Sequence, residues 1–302
     1  YTDEKTAPVG GTVYGSSLVI GEKFAAKAYI FLSADLLAED GAYATVNGNK
    51  ILLKDAGKQK ISGKYAYSFD FNLGPKMFND EITVKLFNGA DEEVILLDRD
   101  GSYLPNGYVY TAQEYIDKVI ANSDNEKLVD TMKALNDLGH YAQAYYKYNT
   151  EKLAALQGDV SAVTAEDLAD YAGVVKSINE DVISYVGSSM LLQNEIKIRQ
   201  YFTLAEGVEL SDLTFKINGS VFTPAERNGM VFIETKNIPA KSFDVAYKFV
   251  VTDKDGKVVY SGEYSAFSYV LNCLEKSDDA DLANLVKAMV VCNQAAKAYF
   301  AK

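Results

Sequence analysis

His140 is the only histidine of the chain, and Cys273 and Cys292 are its only cysteines, so the inventory for nucleophilic or metal chemistry is short. One imidazole rules out a metal site built on clustered histidines and leaves a nucleophile triad a single place to form. His140 falls in mid-helix pattern and reads as a solvated or edge-packed side chain. Both cysteines take apolar positions on helices, one near a turn and one near the far end of its helix. That separates them by roughly 12 Å along the axis, too far for a disulfide, and both read as core packing. Asp98-Arg99-Asp100-Gly101 and Asp253-Lys254-Asp255-Gly256 each set two carboxylates before a glycine. Neither continues with the further oxygen ligands of a calcium loop, and Asp and Gly are what tight turns select. A glycosidase needs two carboxylates about 5–9.5 Å apart across a cleft, and no carboxylate here lies in a local motif. The expected catalytic residues, metal ligands and cofactors are therefore none.

The aromatic inventory is richer, with 22 Tyr and 14 Phe but no Trp. Tyr141, Tyr145 and Tyr148 recur at helical spacing, with Tyr146 beside them. Such a stripe either packs as core or offers ring faces to the apolar CH face of a sugar. Tyr145 has a tyrosine counterpart, Tyr299, in the duplication described next, whereas Tyr141 faces Ala295. The candidate ligand-binding residues are therefore Tyr141, Tyr146 and Tyr148.

The elements that would carry these residues are written twice. Gly15-Ser16-Ser17-Leu18 returns as Gly187-Ser188-Ser189-Met190, an offset of 172, and Tyr29 and Leu32 return as Tyr201 and Leu204. Asn47-Gly48 answers to Asn218-Gly219, Tyr110-Thr111-Ala112 to Tyr264-Ser265-Ala266, and Lys133-Ala134 to Lys287-Ala288. In each copy a stretch of period two gives way to a stretch of period 3.6. Residues 17–32 and 189–204 predict paired strands with turns near Gly21 and near Asn194, and each Asn-Gly pair predicts a tight hairpin. Thr111 and Ser265 are suitable N-caps. Thr111 has a capping-box glutamate at Glu114, and Ser265 lacks the acidic partner. Breaks at 122–125 and 277–279 split each helical part in two. The expected fold is α+β: two tandem repeats, 1–150 and 151–302, each a small antiparallel β-sandwich followed by a helical hairpin. Asn149 to Val163 reads as a connection. Thr164 to Tyr185 fits a helix carrying Leu168, Tyr171, Val175, Ile178 and Val182 slightly better than extended structure.

This arrangement resembles a module of secreted, multi-domain surface proteins of anaerobic Gram-positive gut bacteria. The residues that carry the resemblance are Tyr14-Gly15-Ser16-Ser17-Leu18, Val186-Gly187-Ser188-Ser189-Met190-Leu191-Leu192, Leu282-Ala283-Asn284-Leu285-Val286-Lys287-Ala288-Met289 and Ala295-Ala296-Lys297-Ala298-Tyr299-Phe300. It implies an extracellular or cell-surface location beside glycan-active or adhesive domains, and it transfers no chemistry. The chain opens at Tyr1 without a basic and apolar leader and reads as a mature or excised segment. A net charge of −12 repels nucleic acid and anionic lipid headgroups, and no apolar run approaches the ~20 residues of a spanning helix. The expected function is a non-catalytic module contributing adhesion or recognition of an extracellular protein or glycan within a larger protein. The alternatives are a spacer between neighbouring domains with no ligand of its own and, more weakly, a glycan-active hydrolase.

Overall fold

The computed structural model describes residues 7–192 and 195–301. The expected turn at Asn194 lies outside the described residues. The chain is α+β, with antiparallel pairing dominant, and divides into two compact units. One runs up to Ile20 and includes Phe24–Leu73 and Met77–Asn122; the other comprises Gly21–Lys23, Gly74–Lys76 and the chain from Ser123 onward.

The first unit contains β1 (Val9–Val19), β2 (Ala25–Leu32), the short α1 (Ala34–Ala38), β3 (Tyr43–Val46), β4 (Asn49–Leu52), β5 (Gly57–Ile61), β6 (Lys64–Asn72), β7 (Ile82–Phe87), β8 (Ile95–Leu97), β9 (Tyr108–Tyr110) and α2 (Ala112–Asn122). The strands make two sheets, ordered β5-β6-β2-β1-β8 and β4-β3-β7-β9. Alternate residues of β2 and β7, such as Ala28, Ile30, Val84 and Leu86, are fully buried, as period-two patterning requires when one face meets a core. The sheets approach closely at β1, where a Cβ on Gly11 would lie 3.3 Å from Leu86 Cδ1 of β7.

The second unit contains α3 (Glu126–Tyr146), β10 (Val174–Ile178), β11 (Ile183–Leu192), β12 (Ile196–Leu204), β13 (Thr214–Ile217), β14 (Ser220–Phe222), β15 (Ala225–Arg227), β16 (Met230–Glu234), β17 (Tyr247–Thr252), β18 (Val258–Tyr264), α4 (Ala266–Lys276) and α5 (Ala280–Phe300). Its sheets are ordered β10-β18-β17-β13-β14 and β11-β12-β16-β15. An aromatic cluster joins them. Phe202 of β12 lies 6.0 Å from Phe215 and 4.9 Å from Tyr260, and Tyr185 stacks on Tyr260 at 5.7 Å.

Local chemistry explains the turns and helix starts. Asn47 and Gly48 take φ of 48° and 80°, Asn218 and Gly219 take 49° and 83°, and each pair closes a hairpin. Each Asn also works at long range: Asn47 Oδ1 accepts from Thr83 N and Asn218 Oδ1 from Lys248 N, both at 2.8 Å. Gly15 and Gly187 sit at bulges where β1 and β11 shift register, with φ of 153° and 158° and no atom within 4 Å of an added Cβ. Backbone conformation, not space, selects glycine there. The Thr111 and Glu114 capping box forms at 3.0 and 3.3 Å. Ser265 finds a second hydroxyl, Ser268, in place of the missing acid.

Two expectations change. Thr164 to Tyr185 is not one helix: a 3-10 turn at Glu166–Tyr171 leads into β10 and then β11. Asp167 Oδ2 accepts from Thr164 N, which starts a single turn, and Leu168 anchors it. The chain then extends because Gly173 passes over the Tyr264 ring, where a Cβ would come within 2.4 Å, and β10 takes the edge of β18. The second change concerns the helices. α3 pairs antiparallel with α5 inside the second unit, its start held by Thr131 Oγ1 donating to Ala295 O at 3.2 Å and its end by Lys147 and Asp281. The reason lies in α5, whose buried residues Leu285, Val286, Ala288, Met289, Cys292 and Asn293 face several directions. A helix apolar on most sides needs cover on most sides. The turn at Ala240–Ser242 supplies the rest, and Asn293 Nδ2 donates to Ala240 O at 2.8 Å.

Candidate functional site

The three candidate tyrosines do not form one face. α3 ends at Tyr146, and Lys147 takes the left-handed conformation, so Tyr148 has left the helix. Tyr146 and Tyr148 instead flank Lys76, whose ammonium lies 5.0 Å from each ring centre. Tyr146 also meets Tyr145 edge-on, and burial with that neighbour pushes its phenol up to about 12. Tyr141 stands apart, half-buried against His140, its phenol raised by burial and by the charges of Asp137 and Asp159. Sequence spacing missed this split because a stripe presumes that the helix continues.

His140 serves the chain itself. Its Nδ1 donates to Ala154 O at 2.7 Å, Asn136 Nδ2 donates to Ala155 O at 2.8 Å, and the Gln157 N–H donates to Asp137 Oδ1 at 2.8 Å. One face of α3 thus holds three backbone polar groups of the connection, from residues 154, 155 and 157. A Cβ on Gly158 would come to 3.1 Å from Asp137 Oδ2, which keeps that position small. Cys273 and Cys292 are unbonded and buried. Burial raises both thiols, Cys292 to about 12, which keeps them from acting as thiolates. The Asp253 carboxylate accepts from the N–H groups of Asp255 and Lys257 and so organises its own turn. Among the described residues no group of three or more His, Cys, Asp and Glu could hold a metal ion, and no helix is long and apolar enough to cross a membrane.

What the structure brings together is a groove beside a glycine bulge in each unit: Gly187 next to α4 in the second and Gly15 next to α2 in the first. In the second unit it measures about 660 Å3 and runs past Gly187, Ser188, Tyr264, Tyr269 and Asn272. In the first it measures about 740 Å3 and runs past Gly15, Ser16, Tyr108, Tyr115 and Lys118, with Lys60 and Arg99 on its rim. The linings differ in chemistry. The second unit presents two carboxylates, Glu263 and Glu275, against one cation, and a hydrogen-bonded chain in which Lys276 Nζ donates to Asn272 Oδ1 at 2.9 Å and Asn272 Nδ2 donates to the Tyr264 hydroxyl at 3.1 Å. The first presents three cations, one carboxylate in Glu114 and a Tyr108 hydroxyl donating to Ser16 Oγ at 3.2 Å. Ring faces beside hydroxyls and amides suit sugars or peptide backbone. The repeated Gly-Ser-Ser was the sequence signal for this position, and it read as packing. No protein-family model matches the chain, and no curated protein shows significant similarity to it.

Burial also pushes the Tyr264 phenol up to about 12. An unfolded tyrosine ionises near 10, so the stability that Tyr264 and Tyr146 carry is fully present below about pH 10. It is lost as pH rises through the folded value, because the unfolded chain then binds fewer protons than the folded one. The melting midpoint is expected to hold to about pH 9 and then fall, with Tyr264→Phe flattening the fall. An unchanged alkaline slope in that variant would contradict the assignment.

Proposed function

We propose that the chain is a tandem pair of α+β modules, over 1–150 and 151–302, each a small β-sandwich followed in sequence by two helices, of which the second in the first copy, α3, pairs with α5. Paired details support the duplication: two bulge glycines, two Asn-Gly hairpins reaching the neighbouring strand, first helices of 11 residues and second helices of 21. In this reading the protein is a non-catalytic, secreted or cell-surface module that contributes recognition of an extracellular protein or glycan within a larger protein.

One observation carries recognition above the alternatives: each unit keeps a groove beside its glycine bulge while the linings diverge, three cations against one carboxylate in the first and one cation against two carboxylates in the second. A concavity retained with altered lining is what a binding scaffold specialised twice would leave. The Tyr146 and Tyr148 pair around Lys76 is a second candidate surface for a ring-bearing ligand, with Tyr141 standing apart from it. A spacer is favoured by a different feature, the antiparallel lock of α3 on α5.

Glycan and protein arrays probed with the purified chain separate these readings. Recognition predicts retention on one ligand class that drops at least about tenfold in Tyr269→Ala, or in the pair Arg99→Ala and Lys118→Ala, with the melting midpoint preserved. A blank array, or binding indifferent to every one of these variants, would leave the spacer.

A further inference from the structure

Five asparagines are each followed by glycine: Asn47, Asn88, Asn106, Asn218 and Asn228. In such a pair the glycine nitrogen can attack the asparagine side-chain carbon, because no Cβ shields the nitrogen and the glycine leaves the backbone freer to turn. Four of the five are engaged. Asn88 Oδ1 accepts from the N–H groups of Ala90 and Glu92, and Gly89 N–H donates to Glu39 Oε2 at 3.0 Å. Gly107 N–H donates to Leu104 O at 3.1 Å, which occupies the nucleophile beside Asn106. Asn47 and Asn218 are held at the other reacting group, each Oδ1 accepting a backbone N–H at 2.8 Å from the next strand, β7 or β17. Asn228 is the exception. It follows β15, the last strand of its sheet among the described residues, so no further strand offers a donor. Neither its side chain nor the Gly229 N–H makes a hydrogen bond to a described residue, and both residues are exposed.

We propose that Asn228 is a self-modification site of this chain, deamidating through a succinimide while the other four Asn-Gly pairs are protected by the fold. Gly229 N forms a bond to Asn228 Cγ and gives up its proton, the Cγ–Nδ2 bond breaks, and ammonia leaves. Water then opens the ring at either carbonyl, giving aspartate or isoaspartate, so the net change is one water in and one ammonia out. Backbone conformation does not discriminate among the three hairpin turns. Asn47 and Gly48 have φ of 48° and 80°, Asn218 and Gly219 have 49° and 83°, and Asn228 and Gly229 have 54° and 73°. The side-chain tether is what differs. Modification at Asn228 has a structural consequence. Either product puts a negative charge beside Arg227, and isoaspartate adds a backbone methylene to a tight turn. β15 is held only by the pairs of Ala225, Glu226 and Arg227 with Phe232, Val231 and Met230, and all three of its residues are exposed. A lengthened turn therefore detaches β15 and passes the sheet edge to β16.

The test incubates the full chain in mildly alkaline buffer, native and in urea, and follows all five pairs by peptide mapping, with enzymatic methylation of isoaspartate as a second readout. In native buffer Asn228 is expected to convert about threefold to tenfold faster than Asn47 and Asn218, whose side-chain hydrogen bonds must break before attack. Asn88 and Asn106 should be no faster than those two. In urea the five rates should converge, because the tethers go with the fold. Asn228→Gln should remove the fast conversion and leave the other four rates unchanged. In the aged wild-type chain, hydrogen-exchange protection should fall in the pairing of β15 with β16 and hold in that of β12 with β16. Native conversion of Asn47 or Asn218 as fast as Asn228, no conversion at Asn228, or the same ranking retained in urea overturns the proposal. Isoaspartate at position 228 with β15 protection undiminished overturns the detachment.

Discussion

Phe202→Ala is expected to destabilise the second unit by about 3–5 kcal/mol, the usual cost of emptying a fully buried aromatic site. The ring is fully buried between the sheets and meets Tyr185, Phe215 and Tyr260, so its removal opens a space that rigid aromatic neighbours cannot close. Against a typical total of about 5–15 kcal/mol, that is a large fraction. Urea unfolding followed by circular dichroism should show a lower midpoint at unchanged slope. Phe202→Leu, which keeps more of the volume, should cost clearly less. A loss under about 1 kcal/mol for the alanine variant would mean that the sheets do not close around this ring.

Asp137→Ala should cost about 2–4 kcal/mol through a different mechanism. The carboxylate is buried and accepts from Gln157 N at 2.8 Å and Asn136 Nδ2 at 3.1 Å. Alanine takes that acceptor from both, and although Asn136 Nδ2 keeps Ala155 O, a donor left unsatisfied costs about 1–3 kcal/mol, to which the lost packing of the buried side chain adds. Because the contact pins the connection, limited proteolysis should move to the neighbourhood of Leu153 and Leu156, both exposed already. A variant that is less stable yet no more easily cut would separate the carboxylate's contribution to the core from its hold on the connection.

Much of the local structure was legible from residue types alone. Asn47-Gly48 and Asn218-Gly219 announce hairpins because few residues accept their backbone angles. Thr111 with Glu114, and the polar breaks before α3 and α5, mark helix ends because the first amides of a helix need acceptors. At α5 the acceptor is Asp279, whose side chain receives the Leu282 N–H. The grooves were legible only as the Gly-Ser-Ser motif, since a short motif says where a backbone bends and nothing of what faces it. Tyr141, Tyr146 and Tyr148 illustrate the same limit. Their spacing was plain, but the helix stops at Lys147, and Lys76 comes between the last two from a remote part of the chain.

Sequence by itself determined the alternation of strands and helices, the turn positions, the burial of both thiols and the poverty of nucleophiles, because each follows from backbone preference, local period or residue inventory. Tertiary structure decided what those elements meet: α3 against α5, β10 on the edge of β18 where the local pattern slightly favoured a helix, His140 on the Ala154 carbonyl. These choices depend on which unsatisfied surface lies within reach once the chain has folded back on itself, and no local period encodes that.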